Sequence, residues 1–224
     1  MKIPTTGIVF LYGAFVLFFI SYRFLRLYKK TKNIFSQLFS IAFLSFGFGF
    51  LTVGGMYLLL IKDEFLWETL GKFFGGFNIL GFGVLGITFF VITKPKAKEL
   101  FMILFSILTL LSLLFSPPPP HLYKNGTITW EEKEMGKLSL FGKICFFILA
   151  LSSIVPTAIY FLFHARKSKE EKARKRTFIW GISLLLATIV LLIMGSALLK
   201  ISFHPVLGDF FIFLFLTSLL LVFL

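Results

Sequence analysis

Few side chains in this sequence could do chemistry inside an apolar phase. Asp209 lies about one turn inside the last apolar run, where a carboxylate needs a partner, and Lys143, Lys200 and His204 are the cations expected on its side. Asn78 sits near the middle of the third apolar run, where its amide is expected to turn toward other helices and bond across them. Ser152, Ser153 and Thr157 bracket Pro156. That proline removes a backbone donor and displaces the carbonyl of Ser152, so a kink is expected, with the three hydroxyls available to the freed groups. Trp130 closes the polar stretch 121–130. Asp209, Asn78, Ser152, Ser153, Thr157 and Trp130 are therefore the candidate ligand-binding residues, and the chemistry they suit is a non-catalytic outer pocket near the loop between helices four and five, Asp209 and the kinked fifth helix.

The signatures of catalysis are missing from the pattern. The sequence contains no HExxH, GxSxG or Walker motif and no paired carboxylates within an apolar run. Its three histidines, His121, His164 and His204, fall on opposite sides of the topology derived below, so they are not expected to share a metal. Cys145 is the only cysteine, which excludes an intrachain disulfide and a cysteine-based metal centre. The last apolar run has no lysine at its middle to form a retinal Schiff base. The expectation is a protein without enzymatic activity, metal or cofactor.

These residues must be positioned by apolar elements. A mean hydropathy of +0.94, with 58% hydrophobic and 15% charged residues over 224 positions, leaves too little polar surface to cover a water-soluble globule. Seven runs of roughly spanning length are expected at 7–22, 35–61, 73–93, 100–116, 138–163, 177–199 and 205–224. The net charge of +13 is explained by topology, because the cations cluster beside apolar runs instead of forming one basic face for nucleic acid. Fifteen of the 23 Lys and Arg fall in the loops after the first, third and fifth runs. The positive-inside rule then puts the N-terminus outside and the C-terminus inside. The first run resembles no cleavable signal, since its positive cluster follows the apolar stretch.

Local signals fill in this frame. Ten of the 18 glycines lie between Gly47 and Gly86, among them the Gly71/Gly75 step, so the second and third helices are expected to pack closely. No phosphate-binding Lys-Ser or Lys-Thr follows this glycine-rich run, which excludes a nucleotide cradle. Pro117 to Pro120 form a stiff exit from the fourth run, and Asn125-Gly126 predicts a small β-hairpin in the outer loop between helices four and five. Asn125-Gly126-Thr127 is also a glycosylation sequon, for which the turn reading is preferred.

The densest basic stretch, HARKSKEEKARKR, contributes Arg166, Lys167, Lys169, Lys172, Arg174, Lys175 and Arg176. These suit anionic lipid headgroups, with a cytosolic docking surface as the alternative. Glu170 and Glu171 precede Arg174 and Lys175 by four residues, the favourable order for helical ion pairs, so helix six is expected to begin before its apolar run.

The layout, with the run RKSKEEKARKRTFIWGISLLL leading into helix six and a substantial loop between helices four and five, resembles the seven-helix sensor region at the N-terminus of some prokaryotic histidine kinases. That resemblance implies a receptor-like module in a prokaryotic cytoplasmic membrane. Its signal would pass through a membrane or cytosolic partner, or through an output domain missing beyond Leu224. The expected fold is all-α, one integral membrane domain over 1–224. A small transporter or permease subunit, and a scaffold subunit of a membrane complex, are the alternatives; the transporter reading would call for an internal repeat, and none is evident.

Overall fold

A computed structural model describes residues 5–59, 64–115, 137–196 and 205–222. Seven α-helices account for nearly all of them: α1 (Thr5–Thr31), α2 (Ile34–Leu58), α3 (Glu64–Thr93), α4 (Lys98–Phe115), α5 (Lys137–Lys167), α6 (Glu171–Ser196) and α7 (Pro205–Leu221). A single 3-10 turn, Pro95–Ala97, joins α3 to α4, and no strand occurs among the described residues. The expected hairpin around Asn125-Gly126 and the four prolines before it lie outside the described residues.

Six of the helices, α1 to α6, are long and apolar enough to cross a membrane, and the chain fits a multi-pass integral membrane protein. The apolar part of α7, Phe210–Leu221, is shorter. Apolar side chains facing outward are the norm in such a molecule, where lipid replaces water. On α4, for example, Leu100, Ile103, Leu110 and Leu114 are all exposed.

Several helices continue past their apolar runs. The first carries on through Arg23, Arg26, Lys29 and Lys30 to Thr31, and the fifth through His164 and Arg166 to Lys167. Leu, Arg and Lys are good helix formers, and cations in a last turn complement the negative end of the helix dipole, so the backbone continues where hydropathy stops. The sixth starts at Glu171, within the basic stretch as expected, and Lys175 Nζ lies 2.7 Å from Glu171 Oε1. Both side chains are largely exposed, so the pair contributes little more than a few tenths of a kcal/mol.

The helices close into a circuit. Each packs against the next in the order α1, α2, α3, α5, α6, α7, and α7 returns to α1, where Tyr12 Oη and Thr217 Oγ1 are 3.3 Å apart. The remaining helix, α4, lies outside this circuit against α3 and α5. Aromatic rings bridge the interior. The Phe46 and Phe82 centroids are 4.8 Å apart, Phe82 and Phe146 5.7 Å, and Phe43 and Trp180 5.7 Å, which joins α2 to α3, α5 and α6. Such edge-on and tilted pairs fill volume and add ring-quadrupole attraction.

The glycines do more than bring α2 to α3. A Cβ at Gly81 on α3 would stand 2.5 Å from the ring of Phe46 on α2, which is the expected close approach. On the other face of α2, a Cβ at Gly54 would meet Leu11 of α1 at 2.7 Å. Gly86 accepts the ring of Phe105 from α4 and has Ser153 Oγ of α5 2.7 Å from where a Cβ would be. The small residues therefore admit neighbours on three sides. In lipid, close packing supplies the attraction that hydrophobic burial cannot.

Candidate functional site

The end of the bundle carrying the basic connections is built around a tight turn. Lys32 adopts φ 54°, and its N–H donates to Tyr28 O at 2.7 Å, closing α1 with a left-handed residue. Asn33 follows in extended conformation and caps α2: its Oδ1 accepts from the N–H of Phe35 at 3.0 Å. Thr31 Oγ1 accepts from Asn33 N in turn. With only Lys32 and Asn33 between them, α1 and α2 must run antiparallel and in contact.

A reciprocal serine clamp holds that contact. Ser21 Oγ donates to Ser40 O at 2.8 Å and Ser40 Oγ to Ser21 O at 2.9 Å, with both residues buried. The clamp sets Phe24, about one turn beyond Ser21, beside Ser36, about one turn before Ser40.

Between these residues lies a cavity of about 320 Å³. Phe24 of α1, Phe35, Ser36 and Phe39 of α2, Phe161 of α5 and Trp180 of α6 line it, along with Asn33 of the turn and Ile92 of α3. Its aromatic wall is continuous: Phe24 stacks on Phe39 at 5.3 Å, and Trp180 lies 6.1 Å from Phe24 and 5.9 Å from Phe161. Ser36 is only 5% exposed, and its hydroxyl makes no hydrogen bond to any described residue. The Asn33 Nδ2 group is likewise unspent, because its cap uses only Oδ1. The site thus combines an apolar aromatic body with unused polar groups at the N-terminus of a 25-residue helix.

Around this end stand the cations. Lys29, Lys30 and Lys32 flank the turn, Lys94, Lys96 and Lys98 surround the 3-10 turn, and Arg166, Lys167, Lys169, Lys172, Arg174, Lys175 and Arg176 follow Phe161 and precede Trp180; all are exposed. Only three carboxylates, Glu99, Glu170 and Glu171, share these connections. Such a surface attracts anions and repels cations.

Of the ligand-binding residues expected from sequence, Asn78, Ser152, Ser153 and Thr157 do not line this cavity, which lies at the end bearing the basic connections and not beside the loop between helices four and five. Ser153 and Thr157, both buried, lie about one turn apart on α5: Ser153 Oγ is 2.8 Å from Phe82 O and 2.7 Å from Leu149 O, and Thr157 Oγ1 donates to Ser153 O. Ser152 Oγ donates to Leu149 O. None of the three takes the Ser152 carbonyl that Pro156 displaces, and α5 runs through Pro156 without a break. Asn78 is buried, but its Nδ2 donates within α3 to Phe74 O at 2.8 Å instead of crossing to another helix. Gly49 of α2 faces it so closely that a Cβ there would stand 2.7 Å from Nδ2, so the amide packs on bare backbone. Asp209 belongs to α7, but its side chain, like the whole of Trp130, lies outside the described residues.

The cavity leaves no distinct mark in the sequence. Its aromatic residues are five among many in a chain with 33 phenylalanines, and the closest sequence signal was the Asn33 cap between two apolar runs. Among the described residues, no three His, Cys, Asp or Glu side chains gather as a metal site would require. No protein-family model, curated protein or solved structure matches this chain.

Proposed function

We propose that the chain is a receptor-like membrane sensory module without enzymatic activity, which reports occupancy of a pocket to a membrane or cytosolic partner. In this reading all seven helices span a prokaryotic cytoplasmic membrane, with the N-terminus outside and the C-terminus inside. The excess of Lys and Arg at one end of the bundle supports that orientation.

One observation carries the reading. The cavity touches α1, α2, α3, α5 and α6 together, at the face that bears the basic connections. An occupant there would make contacts with five helices at once, and any difference in those contacts between two arrangements of the helices would bias one of them. Toward the opposite end, the rings of Phe43, Phe46, Phe82 and Phe146 occupy the space between the same helices. A pocket closed on one side favours binding and response over passage of a solute.

The test is reconstitution of the purified chain in liposomes, with Trp67 and Trp130 replaced by Phe so that Trp180 alone reports on the cavity. Sensing predicts a saturable change in Trp180 fluorescence with an occupant of the cavity and no solute flux above protein-free vesicles. Selective, saturable solute flux would replace this reading with the transporter. A stoichiometric protein partner retained on extraction, with no response at Trp180, would replace it with the scaffold.

A further inference from the structure

We propose that the cavity at the basic end is a specific site for one anionic phospholipid, with its phosphate at the N-terminus of α2 and the start of an acyl chain among Phe24, Phe39, Phe161 and Trp180. The proposal deepens the sensory reading and rests on it for the placement of this end at the inner leaflet.

The two halves of the site require the two halves of such a molecule. The apolar half is the wall of stacked rings, which suits a hydrocarbon. The polar half is the α2 N-terminus. The N–H groups of Phe35 and Ser36 are taken by Asn33 Oδ1 and Asn33 O, so what this end offers an anion is the positive end of a 25-residue helix dipole. Beside it are the unbonded hydroxyl of buried Ser36 and the unspent Nδ2 of Asn33, both donors suited to phosphate oxygens. Lys29 and Lys30 of the last turn of α1 and Lys32 of the connection stand exposed beside this end. A zwitterionic lipid would satisfy the apolar half but bring an ammonium group to a face that holds fifteen Lys and Arg against three carboxylates. A free phosphate would satisfy the polar half and leave the cavity of about 320 Å³ unfilled. That volume is at the lower end of ligand pockets, enough for a headgroup region and part of one chain, with the rest of the lipid in the bilayer.

The experiment is quenching of Trp180 by lipids brominated on the acyl chain, using the full-length chain with Trp67→Phe and Trp130→Phe. Dibrominated phosphatidylglycerol is expected to quench saturably at a low mole fraction in a phosphatidylcholine background, and dibrominated phosphatidylcholine only in proportion to its bulk fraction. Two variants locate the site. Ser36→Phe should fill the cavity and abolish the saturable phase. Lys29→Gln with Lys30→Gln and Lys32→Gln leaves the cavity intact and should weaken the phase by at least about tenfold, given the worth of each cation near an anionic headgroup; it also keeps the test decisive if Ser36→Phe does not fold.

Equal quenching by both lipids, or selective quenching unchanged in the triple variant, would overturn the proposal. So would displacement of the lipid by millimolar inorganic phosphate, which would make this a soluble-anion site. Failure of the sensory reading is separately visible: lipid-selective quenching together with solute flux keeps the lipid site and removes the sensor.

Discussion

Ser153 Oγ on α5 lies 2.8 Å from the carbonyl oxygen of Phe82 on α3, 71 residues earlier in the chain, and so places a polar link within the buried centre of the bundle. The approach exists because Gly86, one turn beyond Phe82, has no side chain: a Cβ there would meet Ser153 Oγ at 2.7 Å and the ring of Phe105 more closely still. Two substitutions separate the hydrogen bond from the space around it. Ser153→Ala removes a hydroxyl that shares its one proton with Leu149 O of its own helix, and polar links between membrane helices average about 0.6 kcal/mol, so a loss of that order is expected. Gly86→Leu drives side-chain atoms into Phe105 and Ser153 and should cost several times more, beyond the roughly 1 to 3 kcal/mol typical of an overpacked core. Unfolding by steric trapping in bicelles measures both. A larger loss for Ser153→Ala than for Gly86→Leu would reverse the ranking.

Asn78 and Gly49 are coupled in the same way. The Asn78 amide donates to Phe74 O and rests on the bare backbone of Gly49, so a methyl at position 49 displaces it. Gly49→Ala should therefore destabilise by on the order of 1 to 3 kcal/mol in wild type, as overpacking does, and by clearly less when Asn78→Ala has already cleared the space. The expected double-mutant coupling is at least about 0.5 kcal/mol. Strict additivity would show that the two residues do not share that space.

Only some of the forces that shape this fold leave a trace in its sequence. Long apolar runs are forced into helices because lipid provides no partner for a bare peptide group, so the helices α1 to α6 were legible as spans and glycine marked where neighbours approach. Helix ends were less legible. Hydropathy stops at Tyr22, yet Arg23 to Thr31 stay helical because helix propensity and the end dipole continue to favour it. The expectation for Asn78 failed in detail because an amide at that depth needs only some acceptor, and Phe74 O in its own helix costs no interhelical register. The cavity was invisible for a different reason. It depends on Phe24, Ser36 and Trp180 meeting across three helices, and nothing local to any of them distinguishes it from the other apolar positions around it.

At the turn between α1 and α2, the strain at Lys32 can be set against what the side chain returns. A non-glycine residue in the left-handed region costs roughly 1 kcal/mol, while the Lys32 ammonium 5.8 Å from the Tyr28 ring, at an exposed site, is worth about 0.5 to 1 kcal/mol. Lys32→Gly loses one and relieves the other, so its stability should stay within about 0.5 kcal/mol of wild type. Lys32→Pro imposes φ near −65° and removes the N–H that bonds Tyr28 O, so it should cost on the order of 3 kcal/mol or more. Thermal melts in detergent, followed by circular dichroism, compare them. A Lys32→Pro variant as stable as Lys32→Gly would mean that the turn has no required geometry.

Ser112 presents the opposite situation to Ser153. It lies on α4 with no exposed surface, and among the described residues its Oγ is the one side-chain polar atom that is fully enclosed, facing neither solvent nor the cavity, and without a hydrogen-bond partner. A hydroxyl held away from water without a partner costs roughly 1 to 3 kcal/mol, and replacing it with a methyl removes that cost while giving up little packing volume. Ser112→Ala should therefore be neutral or stabilising by up to about 1 kcal/mol. Ser153→Ala, the same chemical change at a bonded hydroxyl, should destabilise. Since both exchanges delete one oxygen from a fully buried site, the difference in sign isolates the hydrogen bond from the burial. Steric trapping of the two variants under identical conditions decides it, and a destabilisation by Ser112→Ala equal to that of Ser153→Ala would show that the Ser112 hydroxyl holds a bonded partner, such as an enclosed water between α4 and the circuit.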